Sequence, residues 1–315
     1  MKKRRLGHSS LEVAPLAFGG NVFGWTVDEA TSFALLDKFT GGGFNLIDTA
    51  DVYSRWVRGH TGGESETVIG KWLKKSGKRK DVVIATKVGM DMGEGKKGLR
   101  TDYILRAVED SLRRLQTDYI DLYQSHTDDA EASQEESLEA YAQLVKQGKV
   151  RVIGASNFSA ERLQHALKLS HDNGYPVYQS LQPEYNLYRR REFEHNLEQV
   201  CLAHGLGVIP YFSLASGFLT GKYRSEKDFG KSVRGGSMGK YLNERGLKIL
   251  DTLDAVAKEH NATPAQVALA WLMARPSVTA PIASATSVAQ LDELMNAAEL
   301  KLTGVDIARL DTASA

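Results

Sequence analysis

The chain has 315 residues, of which 42% are hydrophobic and 25% are charged, the composition of an ordinary folded globular protein. Its 40 Lys and Arg residues nearly balance its 39 Asp and Glu residues, so the net charge of +1 gives no basic field that would attract nucleic acid or an anionic membrane. The one cysteine, Cys201, excludes an internal disulfide, and the basic segment Met1–His8 lacks the apolar core of a secretory signal. No apolar run is long enough to span a bilayer, and we therefore expect a cytoplasmic protein.

Short apolar runs alternate with longer amphipathic segments along the whole chain. The apolar runs predict strands at Val13–Phe18, Phe44–Asp48, Val82–Thr86, Tyr119–Tyr123, Val150–Gly154, Val177–Leu181, Gly207–Tyr211 and Val278–Ile282. The amphipathic segments predict helices at Asp28–Phe39 with Asp28 as the N-cap, Glu64–Leu73, Tyr103–Leu115, Glu135–Lys146, Ala160–Leu169, Glu194–His204, Gly246–Glu259, Pro264–Met273 and, as the last helix, Val288–Ala297.

The order of these elements indicates an α/β fold of repeated strand-then-helix units. About eight such units follow one another without a break in composition, which predicts a (β/α)8 TIM barrel forming a single domain over residues 1–315, with extended loops at the C-terminal rim. The segment Lys2–Glu12 has a turn signal at Gly7–Ser9 and predicts a short N-terminal β-hairpin. The alternative, an open doubly wound sheet, requires a Gly-x-Gly-x-x-Gly pattern after its first strand, and none occurs.

Polar side chains follow several of the predicted strands where those strands end. Asp48 ends the second strand with Tyr53 five residues later, Lys87 follows the third strand, and the fourth strand leads into His126. Taken singly, these four residues have ordinary explanations as a helix cap, a packing residue, a solvated loop charge and a structural imidazole. Because a barrel brings the carboxyl ends of its strands to one rim, we expect them to meet there, with Asp48 and Lys87 as buried partners.

The sequence resembles the aldo-keto reductases over almost its whole length. The matching segments, in order, are Asn45–Tyr53, Glu64–Glu66, Ile84–Lys87, Tyr119–His126, Gly154–Phe158, Gln182–Asn186 and Ser213–Tyr223. The resemblance implies an NAD(P)H-dependent reductase of aldehydes or ketones in which Tyr53 donates a proton to the carbonyl oxygen. It also implies that Asp48 fixes Lys87, that the Lys87 ammonium lowers the pKa of Tyr53, and that a neutral His126 orients the substrate.

The resemblance also implies a cofactor site along the same rim. Ser156, Asn157 and Gln179 would bind the nicotinamide carboxamide, and Tyr211 would stack beneath the ring. The remaining predicted cofactor-binding residues are Gly20, Asn21, Ser213, Leu214, Ser216, Gly217, Lys222, Ser284, Thr286 and Gln290. The resemblance implies NADPH as the cofactor. NADH is an alternative, because Thr286 and Ser287 stand where relatives that prefer NADPH carry a basic residue, and Leu294 stands where an adenine-contacting Asn is common.

The substrate side is predicted from loop aromatics. Phe23, Trp25 and Trp56 could form an apolar wall over a small-molecule carbonyl, although ordinary packing explains them equally well. Arg55, Arg58 and His60 flank Trp56 and could meet an anionic substrate or form a solvated surface. The Gly-rich and charged segment Lys227–Lys240 is either a mobile lid or a surface loop. No ligand spacing predicts a metal site, and the oligomeric state is not predicted.

Two other functions compete with the reductase hypothesis. A regulatory subunit that binds nucleotide to sense redox state is one, because the β subunits of potassium channels resemble this family. The other is a barrel aldolase in which Lys87 forms a Schiff base, which requires a depressed lysine pKa that Asp48 would oppose.

Overall fold

The structure is a computed structural model that describes all residues from 1 to 315. The strands are β1 (Arg4–Arg5), β2 (Glu12–Val13), β3 (Ala17–Gly19), β4 (Leu46–Asp48), β5 (Val83–Val88), β6 (Ile120–Ser125), β7 (Val150–Ser156), β8 (Ser180–Gln182), β9 (Gly207–Val208) and β10 (Ile282–Ala283). The α-helices are α1 (Glu29–Gly41), α2 (Glu64–Ser76), α3 (Thr101–Leu115), α4 (Gln134–Lys146), α5 (Ala160–Asn173), α6 (Arg191–Glu194), α7 (Leu197–Ala203), α8 (Glu244–Glu259), α9 (Pro264–Met273), α10 (Val288–Asn296) and α11 (Gly304–Ala313). None of these helices has the length and apolar character needed to cross a bilayer.

Eight parallel strands form the predicted (β/α)8 barrel. Their order is β10-β3-β4-β5-β6-β7-β8-β9, so the strands from β3 to β9 pair in chain order and β10 pairs with β3. The barrel closes between its two end strands through Val208, whose N–H donates to the Ser277 carbonyl (3.1 Å) and whose carbonyl accepts from the Thr279 N–H (2.8 Å). The Ile282 N–H also donates to the Pro210 carbonyl at 2.9 Å.

The N-terminal hairpin is confirmed, and it closes one end of the barrel. Strands β1 and β2 pair antiparallel, with Arg4 opposite Val13. Leu6, Leu11 and Val13 of the hairpin join a buried cluster with inward-facing barrel residues such as Leu46 and Leu122. The functional rim therefore lies at the opposite end, where the carboxyl ends of the strands meet.

Several predicted boundaries differ from the structure for local physical reasons. The first barrel strand begins at Ala17 and not at Val13, because Val13 pairs within the hairpin and Pro15 has no N–H to donate to a sheet. The predicted helix Glu194–His204 is two helices, α6 and α7, separated at His195 and Asn196. The helix α10 is not the last one, because α11 follows it, beginning with a capping box between Thr303 and Asp306.

Candidate active site

The period-two alternation of the strands aims three polar side chains into the rim. Leu46, Ala85 and Leu122 belong to the cluster inside the barrel. Because side chains two residues apart point to the same face of a strand, Asp48, Lys87 and Gln124 also point inward, one layer closer to the rim. The strand register places Asp48 level with Ala85 and Lys87 level with Gln124.

Asp48, Lys87 and Tyr53 form one hydrogen-bonded group, in which Asp48 and Lys87 are buried and Tyr53 is half-buried. The Lys87 Nζ atom donates to Asp48 Oδ2 at 2.7 Å, to the Thr49 carbonyl at 2.7 Å and to the Tyr53 hydroxyl at 2.9 Å. The Tyr53 hydroxyl lies 3.3 Å from Asp48 Oδ2, to which it donates. Lys87 is 0% exposed and Asp48 is 1% exposed, so the predicted buried pair is present in the structure.

This arrangement argues against the aldolase alternative. An ammonium group has three donors, and all three of those on Lys87 are engaged by protein oxygens. Burial lowers the pKa of Lys87, although the Asp48 carboxylate opposes the shift. The depressed pKa alone would suit an aldolase, but the fully buried and fully engaged nitrogen has no room for a substrate carbonyl.

Two glutamines that the sequence analysis did not identify hold the other carboxylate oxygen. Gln182 Nε2 donates to Asp48 Oδ1 at 2.9 Å, and Gln124 Nε2 reaches the same oxygen at 3.4 Å. Both glutamines are buried. A signal for each was present, because Gln124 is two residues after Leu122 and Gln182 precedes Pro183, which cannot donate to a sheet and so terminates the strand.

The pKa of Tyr53 is shifted in the direction opposite to the sequence-based prediction. Burial of the phenol is the largest cause and the charge of Asp48 is the next, and both raise the pKa of Tyr53 well above 10.0. The predicted lowering by Lys87 therefore does not set the direction of the shift, because desolvation and Asp48 outweigh the opposing charge of Arg234. The phenol consequently holds its proton throughout the neutral pH range.

His126 lies beside the phenol as a neutral imidazole. Its ring centroid is 6.0 Å from that of Tyr53, in an edge-on arrangement. Burial, followed by the positive charge of Lys87, lowers the pKa of His126 well below 6.5. No protein group hydrogen-bonds to its Nδ1 atom. The imidazole is thus an uncharged hydrogen-bonding group on the same rim as Tyr53.

A second hydrogen-bonded group follows on the next strand ends. Asn157 has a positive φ of 56°, and its side-chain amide donates to the His126 carbonyl at 2.9 Å and to Ser156 Oγ at 3.1 Å. The Tyr211 hydroxyl donates to Asn157 Oδ1 at 2.8 Å. Ser156 Oγ donates to the carbonyl of Gln182 at 2.8 Å. Ser156, Asn157 and Tyr211 are therefore contiguous with the tetrad Asp48–Tyr53–Lys87–His126.

Gln179 is not part of this group, and its predicted place in the cofactor site is wrong. Its side chain accepts from the His8 N–H at 2.8 Å, and its carbonyl lies against Gly7, at the hairpin end of the barrel. The strand β8 begins only at Ser180, so Gln179 precedes the strand and Gln182 ends it. Gln182 occupies the rim position that was predicted for Gln179.

The predicted phosphate-binding segment has an unusual backbone. Phe212, Ala215 and Ser216 are non-glycine residues with φ between 47° and 59°, and Gly217 has a φ of 100°. Ser213 is buried and its hydroxyl donates to the Pro210 carbonyl at 3.0 Å, whereas Leu214, Ser216 and Gly217 are half-buried. Such a run of sparsely populated conformations is typical of functional loops.

Lys222 supplies a cation to this segment. Its ammonium lies 3.7 Å from the position that a Cβ on Gly217 would occupy, and it forms no ion pair with a carboxylate. The ammonium also lies over the ring of Tyr223, 5.2 Å from its centroid. An unpaired ammonium beside a half-buried backbone loop fits an anionic phosphate group.

The remaining predicted cofactor residues form two small groups. Ser284 Oγ donates to Asn21 Oδ1 at 2.7 Å, next to Gly19 and Gly20, where an added Cβ on Gly19 would lie 2.5 Å from Ser284 Oγ. Thr286 donates to Gln290 Oε1 through its N–H (2.9 Å) and its hydroxyl (3.0 Å) at the start of α10. The helix α10 contains no basic residue.

The three predicted substrate-wall residues separate in the structure. Trp56 is 50% exposed, and its ring centroid lies 6.0 Å from that of Tyr53 and 5.5 Å from that of half-buried Trp25. Phe23 is 0% exposed and stacks on Phe18 at 5.2 Å within the core, so its predicted role is wrong. The two tryptophans thus form the aromatic edge of the site without Phe23.

The structure also gives the positions of the polar residues around Trp56 and of the long loop. Arg55 and Arg58 are exposed, and His60 is half-buried with its Nδ1 atom 3.2 Å from the Ser54 carbonyl. The segment Lys227–Lys240 falls largely within two 3₁₀ helices, Glu226–Lys231 and Gly235–Tyr241. Between them Arg234 places its guanidinium over the Trp25 ring, 5.1 Å from the ring centroid, which links this segment to the aromatic edge.

Comparison with known proteins shows the family to which the chain belongs. The model of the aldo/keto reductase family matches residues 15–315. The chain is 35% identical to Protein tas of Escherichia coli (strain K12), with 99% of this chain and 97% of that protein covered. It is 33% identical to Aldo-keto reductase str7 of Strobilurus tenacellus (96% and 86% covered) and 31% identical to a probable voltage-gated potassium channel subunit beta of Arabidopsis thaliana (95% and 92% covered). The chain belongs to the aldo/keto reductase family and is an NAD(P)-dependent oxidoreductase.

Proposed function

We propose that the protein reduces aldehydes or ketones to alcohols with NADPH, and that Tyr53 is the acid that protonates the carbonyl oxygen. The observation that carries this proposal is the 2.9 Å hydrogen bond from Lys87 Nζ to the Tyr53 hydroxyl, with the same ammonium held by Asp48 at 2.7 Å. It joins a proton donor to a fixed cation at the rim where barrel enzymes act.

Each member of the tetrad has a distinct part in this proposal. Nicotinamide, when bound, supplies the hydride, and the negative charge that then develops on the substrate oxygen requires a proton. The Tyr53 phenol gives up that proton, and the Lys87 ammonium stabilises the phenolate that remains. A neutral His126 donates an N–H to the same oxygen and fixes the direction of the carbonyl. General acid catalysis of this kind contributes about 10²- to 10⁴-fold.

The raised pKa of Tyr53 favours reduction over alcohol oxidation at neutral pH. Burial and Asp48 keep the phenol protonated, so the acid form needed for reduction is the resting form. Oxidation of an alcohol would need the phenolate, which the same two factors disfavour. We therefore expect the reductive rate to hold up on the alkaline side of neutrality.

The cofactor residues that we propose follow the placements in the structure. Asn157, Ser156 and Gln182 would bind the carboxamide, Tyr211 would stack on the nicotinamide ring, and Lys222 would pair with a phosphate. The group of Gly20, Asn21, Ser284, Thr286 and Gln290 would line the adenosine end. NADPH is the proposed cofactor because the family resemblance favours it, and NADH is kept as an alternative because α10 carries no basic residue that would pair with a 2′-phosphate. The ratio of kcat/KM for the two nucleotides measures this preference.

A second candidate function is a regulatory subunit that binds nucleotide without sustained turnover. The observation that favours it is the similarity to a protein named as a probable potassium channel β subunit. The tetrad is complete in this chain, which a sensor would not need. The two candidates differ in one measurable property, which is multiple turnover of a carbonyl substrate.

The deciding experiment is a fluorescence titration with NADPH and NADH followed by turnover on a panel of small and aromatic aldehydes. The proteins compared are the wild type, Tyr53→Phe and, as a matched control outside the site, Tyr175→Phe. We expect nucleotide binding by all three proteins and turnover by the wild type and the control only. Full activity in Tyr53→Phe would refute the acid assignment. Binding without any turnover would favour the regulatory candidate, and failure to bind either nucleotide would exclude both.

A further inference from the structure

A second buried carboxyl group belongs to Asp51, two residues before Tyr53, and it neither gives nor takes a proton in the proposed reaction. Its side chain belongs to a residue that is 2% exposed, and neither of its carboxyl oxygens has a hydrogen-bond partner in the protein. The Val52 N–H next to it gives only slight electrostatic relief, without reaching hydrogen-bond geometry. The Asp51 N–H donates to the Lys87 carbonyl at 3.3 Å, which ties the Tyr53 loop to the Lys87 strand. A lone ionised carboxylate in such a place is costly.

Arg114, one of the two cations that act on Asp51, is already paired with another carboxylate. Glu66 is 0% exposed, and its Oε2 atom lies 2.6 Å from Arg114 Nε. Its other oxygen, Oε1, accepts from the Thr86 hydroxyl at 2.6 Å. Lys87, on the other side, is paired with Asp48. Two cations are thus matched by two carboxylates, and Asp51 would be a third carboxylate with no cation of its own.

The titratable groups that face Asp51 come from five elements: Glu66 on α2, Lys87 on β5, Tyr103 and Arg114 on α3, Tyr123 on β6 and Tyr141 on α4. Burial raises the pKa of each of the three phenols, so they contribute no charge near neutrality. Burial is the largest cause and the charge of Glu66 the second, and both raise the pKa of Asp51 well above 3.8. The charges of Arg114 and Lys87 lower this pKa by less. The Tyr123 hydroxyl is a further buried group without a protein partner at this place.

We propose that Asp51 is a positioning residue that fills the buried space behind the Tyr53 loop, on the side of Glu66 and Arg114, as a neutral carboxylic acid. Asp48 is then the one carboxylate that offsets the positive charge of the Lys87 ammonium. The part of that positive charge that Asp48 does not offset stabilises negative charge on the Tyr53 oxygen. An ionised Asp51 would add negative charge near Lys87 and raise the free energy of the phenolate that forms when Tyr53 gives up its proton. The effect on catalysis rests on the proposed acid role of Tyr53, but the protonation state of Asp51 does not.

Infrared spectroscopy of the full chain at neutral pH measures that protonation state directly. The wild type minus Asp51→Asn difference spectrum should contain a carboxylic acid carbonyl band that shifts in D₂O. The substitution replaces the neutral acid with a neutral amide of the same size, so kcat/KM should stay within about threefold between pH 6 and 8. Absence of the acid band would overturn the proposal. So would a shift of the pH profile of Asp51→Asn to lower pH, the change expected if a negative charge were removed.

Glu66→Gln tests the same idea in the opposite direction. With Glu66 uncharged, Arg114 loses its partner and should draw the proton off Asp51, so the acid band should vanish. The negative charge would move closer to Lys87, and kcat/KM should fall by about tenfold, the effect of one pKa unit. Adding Asp51→Asn to this variant should restore the rate. An acid band that persists in a folded Glu66→Gln protein, or a double variant that stays slow, would count against the proposal.

The infrared test of Asp51 can succeed or fail independently of the proposed reductase function. The infrared band requires neither substrate nor turnover, so it would still report on Asp51 if Tyr53→Phe proved fully active. If Glu66→Gln fails to fold, the comparison of wild type with Asp51→Asn decides the protonation state alone.

Discussion

Replacing Lys87 with Met should destabilise the protein chiefly because it strands the buried charge of Asp48. Asp48 is 1% exposed, and without Lys87 it would keep only hydrogen bonds from neutral groups: Gln182 at 2.9 Å, Gln124 at 3.4 Å and the Tyr53 hydroxyl at 3.3 Å. Removing one partner of a buried ion pair costs about 3–5 kcal/mol. Proteins typically have about 5–15 kcal/mol of unfolding free energy, so the variant should still fold.

The double variant Asp48→Asn with Lys87→Met separates the stranded charge from the loss of packing. The amide oxygen can still accept from Gln182, and no charge is left buried, so most of the lost stability should return. The assay is urea denaturation at pH 7, monitored both by tryptophan fluorescence and by circular dichroism; coincident curves show that the protein unfolds in one transition. A loss below about 1 kcal/mol in Lys87→Met, or a double variant no more stable than the single one, would refute the reasoning. Both variants should lack reductase activity.

Two further predictions concern His126 and the aromatic edge. Burial lowers the pKa of His126, so below about pH 6.5 the unfolded chain binds a proton that the folded chain does not bind. The unfolding free energy of the wild type should therefore fall relative to that of His126→Gln by about 1.4 kcal/mol for each pH unit below 6.5. Urea denaturation between pH 7 and pH 5 tests the slope, and parallel curves for the two proteins would contradict it. Trp56→Ala should raise KM for aromatic aldehydes while changing stability little, because the side chain is half exposed. Phe23→Ala should instead cost about 3–5 kcal/mol of stability, and a Phe23→Ala protein that keeps its stability but has a raised KM would return Phe23 to the substrate wall.

The sequence was sufficient for the barrel and for the main chemical group of the site. Alternating apolar runs and amphipathic segments predicted eight strands, and the polar residues at their ends predicted that Asp48, Tyr53, Lys87 and His126 meet at one rim. These predictions depend on local periodicity and on the order of elements, and both are properties of the chain itself. The N-cap of α1 at Asp28 was likewise readable, because a side-chain cap acts within one turn.

What the sequence could not determine are the features set by contacts between distant segments. Whether Gln179 or Gln182 reaches the rim depends on where β8 begins against its neighbours, and a shift of the boundary moves every side chain along the strand. Phe23 looks like a loop aromatic until Phe18 is packed against it. The direction of the Tyr53 pKa shift depends on how much water the folded rim excludes, because burial is the largest cause of the shift and the charge of Asp48 is the next. Register, burial and desolvation are sums over many long-range contacts, and only the tertiary structure decides them.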